Sequence, residues 1–155
     1  MNSIIEDEFP GSTDLRDQLL DLILDEDLAY RLPGQNPSFG ELCVEMGQTQ
    51  QIYIHSFKTL QHDRGYRGIL PDDGGVKSLR VWFAALDKQL IEALSSLSED
   101  DVHNKEIDRG KGFVATPFVQ FQIYHEALLI FYAKASVYLK ALEKEMTEQW
   151  REWIG

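Results

Sequence analysis

The sequence predicts an all-α protein: an antiparallel four-helix bundle with one long crossover loop. Three observations lead there. Four stretches repeat their apolar residues at intervals of three and four, the period of a helix with one buried face. No stretch alternates apolar and polar residues for long enough to build a half-buried strand. The segments between the four stretches carry Gly, Pro and charged residues without periodicity. At 155 residues the chain has the size of one domain, read here as residues 1–155 with 1–11 as a mobile acidic tail.

The first helix is expected from about Thr13 to Tyr30. Leu15, Leu19, Leu22, Ile23 and Leu28 oppose a row of aspartates, and Pro33-Gly34 ends the segment. The second runs from about Ser38 to Gln61. Ser38-Phe39-Gly40-Glu41 has the spacing of a capping box. Phe39, Leu42, Cys43, Met46, Tyr53, Phe57 and Leu60 share its buried face, with Glu45 at the edge. The glycine-rich stretch 63–75 reads as a surface loop. The third helix spans about Val76 or Ser78 to Leu97 on Leu79, Trp82, Phe83, Leu86, Leu90, Ile91 and Leu94, and Ser98-Glu99-Asp100-Asp101 is read as closing it. Residues 99–115 form the expected crossover loop, with an extended piece at Gly112-Phe113-Val114. The fourth helix opens at Thr116-Pro117, a capping Thr with Pro at the first helical position, and is expected to run to Trp153. Its stripe is Phe118, Phe121, His125, Leu128, Tyr132, Ala135, Leu139, Leu142 and Met146. Val119, Ile123, Ala127, Ile130 and Phe131 make the opposite side apolar too, so a partner subunit is expected to cover it. Gln120, Gln122, His125, Glu126 and Lys134 interrupt this helix and argue against a membrane span.

Composition narrows the function. A net charge of -11 argues against a nucleic-acid or anionic-membrane partner. Cys43 is the only cysteine, which leaves no disulfide framework and no Cys-rich zinc site. The start of the chain, with Glu6, Asp7 and Glu8, does not have the pattern of a signal peptide, and a cytoplasmic location is expected. Nine of the acidic residues fall within residues 1–30 against Arg16 alone, and this run reads as a solvated face. No phosphate-binding loop, dinucleotide fingerprint, HExxH or GxSxG is present. Of four histidines, His62 and His103 read as surface residues and His55 as a flank residue. His125 falls on the stripe of a central helix, either as a hydrogen-bonded core histidine or as a metal ligand or base.

The runs Asp27-Leu28-Ala29-Tyr30-Arg31-Leu32-Pro33 and Ser38-Phe39-Gly40-Glu41-Leu42-Cys43-Val44-Glu45-Met46, followed by Thr116-Pro117 and His125-Glu126-Ala127, resemble the DinB/YfiT-like family. The resemblance implies a four-helix bundle, commonly a homodimer, holding a divalent metal on one second-helix His and an HxxxH pair. Some members resemble bacillithiol- or mycothiol-dependent transferases and isomerases. Carried onto this chain, the three ligand positions fall at Glu45, His125 and Leu129, so one histidine survives. No cofactor is therefore expected; the alternative is a Zn, Ni or Mn ion held by Glu45 and His125 with water or substrate completing its shell. Cys43, Met46, Tyr53, Gln122, Leu129 and Tyr132 are expected to line a more apolar cavity beside that site. Two functions follow. One is a dimeric bundle that has lost its metal and binds a small apolar ligand or a protein partner. The other is a metal-dependent transferase or isomerase using Glu45 and His125.

Overall fold

Helix α2 (Phe39–Thr59) begins on the capping box that the sequence announces. Ser38 Oγ accepts from the Glu41 N–H at 3.1 Å, and Glu41 Oε2 accepts from the Ser38 N–H at 2.8 Å. It ends on Leu60 in the left-handed conformation, φ 60°. The computed structural model covers residues 1–155. The other elements are α1 (Asp14–Leu22), α3 (Gly75–Ser95), α4 (Glu99–Asn104), β1 (Ile107–Asp108), β2 (Val114–Ala115), α5 (Pro117–Ala141) and α6 (Glu148–Trp153). Helices α1, α2, α3 and α5 make the bundle, with α2 packed against both α3 and α5. No helix is long and apolar enough to cross a membrane.

Four details depart from the expected boundaries. The first helix stops at Leu22, and Asp25–Ala29 form a separate 3-10 turn. The cause is Asp27, whose carboxylate accepts from the Leu24 N–H at 2.7 Å and pairs with Lys144 Nζ at 2.6 Å. That local bond competes with helix continuation. Asp25 then accepts from the Val76 N–H at 2.8 Å, which ties this turn to the start of α3. Gly75 is required there: its φ is +71°, and a Cβ would sit 2.3 Å from the Asp25 carboxylate.

Ser98-Glu99-Asp100-Asp101 opens a helix instead of closing one. Ser98 Oγ accepts from the Asp101 N–H at 3.1 Å, and Asp101 returns the bond at 3.0 Å, the reciprocal cap of α4. The segment expected as the crossover folds as a hairpin, Ile107 facing Ala115 and Asp108 facing Val114. Thr116 caps α5 as expected, but that helix ends at Ala141. Glu143 reverses the chain at φ 56°, and Thr147 caps α6 as a separate element. The gain is burial of Trp150, fully enclosed with its ring 5.6 Å from that of Tyr132.

Residues 1–11 are docked and not a free tail. Asn2 Nδ2 donates to the Leu94 and Leu97 carbonyls, each at 2.8 Å, and Ile4 is wholly buried. Asn2 thereby satisfies carbonyls left open at the end of α3.

Candidate functional site

The seam between α2 and α5 is where the sequence placed its candidate residues. Phe39 stacks on Tyr138 at 4.9 Å, and Tyr53 meets Tyr124 at 5.0 Å. These two pairs set an antiparallel register in which Glu45 is level with Tyr132 and His125 with Ile52. Glu45 and His125 are thus offset by about 10 Å along the bundle, at 1.5 Å per residue. Glu45 is exposed and borders two surface cavities, one of them shared with Lys134 and Tyr138. His125 is half-buried and borders neither. Two atoms bound to one zinc ion lie within about 4 Å of each other, and the structure does not bring these two side chains together. No group of three or more His, Cys, Asp or Glu side chains is placed to hold a metal ion.

The residues expected to line a cavity fill space instead. Cys43, Met46, Tyr53 and Tyr132 belong to the packed core, Leu129 is half-buried and Gln122 is exposed. Burial pushes the Cys43 thiol up to about 12, which leaves it a small hydrophobe and not a nucleophile. Burial likewise holds the Tyr132 hydroxyl well above the usual tyrosine range.

The core holds one polar cluster that sequence reasoning missed. Arg16 of α1 is 2% exposed and pairs in a fork with Asp87 of α3, one arm at 3.0 Å. Gln50 of α2 donates to Asp87 at 2.8 Å and accepts from Arg16 at 3.4 Å. The guanidinium lies over the Phe83 ring, 4.6 Å from its centre. Burial works against the charge on Arg16, and the Asp87 carboxylate more than offsets it, so its pKa stands above the ordinary value. Arg16 interrupts the aspartate row of its helix; that was the only signal available.

His62 is the second miss. Its Nδ1 lies 3.0 Å from Gln120 Nε2, and its ring meets Tyr53 edge-on at 5.0 Å. Gln120 is fully buried, donates to Ser56 Oγ at 2.9 Å and accepts from Arg109. With the amide nitrogen donating, Nδ1 is the acceptor and the imidazole is neutral. Burial, aided by Arg109 and Arg64, lowers His62 to about 4. His103 is a surface residue as expected, paired with Glu99 at 2.8 Å.

The outer side of α5 is the remaining candidate. Val119, Ile130 and Val137 are 39, 57 and 52% exposed. At about 100° per residue, Val119, Ile123, Glu126, Ile130, Lys134 and Val137 all fall within about 40° of Ile130. The result is one apolar row with a single acid and a single base, placed four residues to either side of Ile130.

This geometry defines a DinB-like fold, a four-helix bundle in which α2 and α3 run parallel, with Gly47 against Trp82 and Gln50 against Asp87, so the connection that crosses the bundle is residues 60–74 between its second and third helices and not the expected 99–115. The chain is similar to a solved structure, a DinB-like protein, YjoA, from Bacillus subtilis. The TM-score is 0.73 over 94% of this chain and 96% of that one, at 16% identity. No family model and no curated protein sequence matches the chain.

Proposed function

We propose that this protein acts by binding, as a homodimer that pairs through the outer face of α5. The observation that carries this reading is the row centred on Ile130. A two-fold axis through Ile130 turns α5 antiparallel onto its copy and brings Glu126 opposite the Lys134 position of the second protomer, twice. It also sets Ile123 against the Val137 position, so apolar residues meet apolar residues along the row. A face that matches itself in both shape and charge fits an isologous interface. The separation of Glu45 from His125 weighs toward binding and away from metal-dependent transfer.

Light scattering coupled to size-exclusion chromatography tests the reading. The expected mass is twice the 17.8 kDa of one chain. Ile130→Glu gives the single-chain mass, since it sets two carboxylates against each other on the axis. Glu126→Lys alone weakens the dimer at least about fivefold, and adding Lys134→Glu restores it. A native chain that runs at 17.8 kDa at 100 μM, or a dimer that ignores Ile130→Glu, overturns the pairing.

A further inference from the structure

A second cavity, of about 630 Å³, lies between α2 and α3 beneath the 66–69 segment and away from the α5 row. Its size falls in the range of small-ligand sites, about 300–1,000 Å³. Ile54, Tyr66, Ile69, Trp82 and Leu86 give it apolar walls. Lys58 and Arg67 border it, and neither is in an ion pair. No Asp or Glu lines it, in a chain whose net charge is -11. A larger cavity, beside Glu45, has the opposite character, with Asp25, Glu41, Glu45, Asp72 and Asp73 around it.

The walls are fixed. The Ile69 carbonyl accepts from Trp82 Nε1 at 2.9 Å and from Gln51 Nε2 at 2.7 Å. Gln51 Oε1 accepts in turn from the Gly68 N–H at 3.2 Å. His55 stacks flat on Tyr66, 4.1 Å apart at 13°. On the Ile69 side the apolar surface continues: Ile69, Trp82 and Ala85 also border a neighbouring cavity of about 500 Å³, which reaches Leu70 and Val81. Ile69, Leu70 and Val81 are 87, 52 and 65% exposed, a concentration of uncovered apolar residues in one place.

We propose that this cavity binds an amphipathic anion, a free medium-chain carboxylate. Its head would meet Lys58 and Arg67, and its chain would run along Trp82 and Leu86 toward Ile69. The polarity of the site decides the class. Two cations without a carboxylate partner on its border, Arg67 steadied by the Arg64 and Tyr66 carbonyls, favour an anion over an amine or an alcohol, and the continuous apolar wall favours a chain over a compact acid such as acetate. The proposal is independent of the dimer, because none of the α5 row borders the cavity.

The test uses the full chain and sodium decanoate below its micellar range. Isothermal titration reads affinity, and two-dimensional NMR reads the Trp82 indole N–H and the Ile69 amide. Decanoate is expected to bind and to move both signals, with decylamine and decanol at least about tenfold weaker. Lys58→Gln with Arg67→Gln removes the charges and keeps the walls. Ala85→Trp keeps the charges and fills the space. Each is expected to weaken decanoate at least about tenfold while leaving the far-ultraviolet circular dichroism unchanged. The proposal is overturned by decanol binding as tightly as decanoate, by Ala85→Trp binding like the native chain, or by shifts confined to other tryptophans. Binding to vesicles of anionic phospholipid without binding to free decanoate also overturns it, in favour of a membrane surface.

Discussion

Asp87→Ala isolates the buried charge at the centre of the bundle. The Arg16 side chain is 2% exposed and that of Asp87 21%. Removing the carboxylate leaves the guanidinium with the Phe83 ring at 4.6 Å, Gln50 Oε1 at 3.4 Å and the solvent-exposed Asp17 carboxylate at 4.0 Å, and it strips Gln50 Nε2 of its acceptor. Breaking a buried pair from one side costs about 3–5 kcal/mol. Because Asp87 keeps an edge in water, the lower figure, about 3 kcal/mol, applies. With a urea dependence of about 2 kcal/mol/M, the unfolding midpoint falls by about 1.5 M. The measurement is urea denaturation followed by circular dichroism at one fixed protein concentration, since self-association of the kind proposed would add to apparent stability. Arg16→Met combined with Asp87→Leu removes both charges and returns the midpoint to within about 0.5 M of the native chain. A loss below about 1 kcal/mol for Asp87→Ala, or a double variant no better than the single one, refutes the account of Arg16 as a desolvated charge dependent on its partner.

Two further perturbations reach other parts of the fold. His62 sits near 4 in the folded chain against an ordinary value near 6.5, so the folded state binds fewer protons than the unfolded one. Its contribution is complete above about pH 6.5 and is lost as pH falls toward 4; half-exposed, it amounts to on the order of 1 kcal/mol. Urea midpoints measured from pH 7 to pH 4 should fall in the native chain and fall less in His62→Gln; equal slopes would remove His62 as the source. Gly47→Ala places a Cβ 2.2 Å from the Trp82 ring. Helix propensity favours alanine by about 1 kcal/mol, but the overpacking costs about 1–3 kcal/mol, so a lower melting temperature with a shifted Trp82 emission is expected. An unchanged or higher melting temperature would show that the indole yields freely.

Legibility in the sequence followed the range of the interaction. The Ser38–Glu41 and Thr116–Val119 caps are made within three residues, and both helix starts were readable to the residue. The end of α1 depends on Lys144 gripping Asp27 from the far end of the chain, and no local pattern carries that. His62 looked like a surface residue because Asp63 follows it, whereas its ring is fixed by Gln120, 58 positions away. The Glu45–His125 pairing failed for a related reason. Helical spacing tells which face a residue occupies but not its height against another helix, and here the aromatic pairs Phe39–Tyr138 and Tyr53–Tyr124 set that height. The uncovered side of α5 was legible because it needs only one helix and its period.

The double acceptor at Ile69 divides the long segment between α2 and α3 into two stretches with different tolerance of change. Residues 63–65 and 70–73 can lengthen at small entropic expense, since doubling a loop costs only about 0.6 kcal/mol. Residues 68 and 69 cannot, because an insertion there would carry the carbonyl away from Gln51 and Trp82 and leave both side-chain donors without their acceptor. Among chains with this fold, variation in length should therefore collect on either side of that clasp, and a chain that lost the clasp should be free to replace both Gln51 and Trp82.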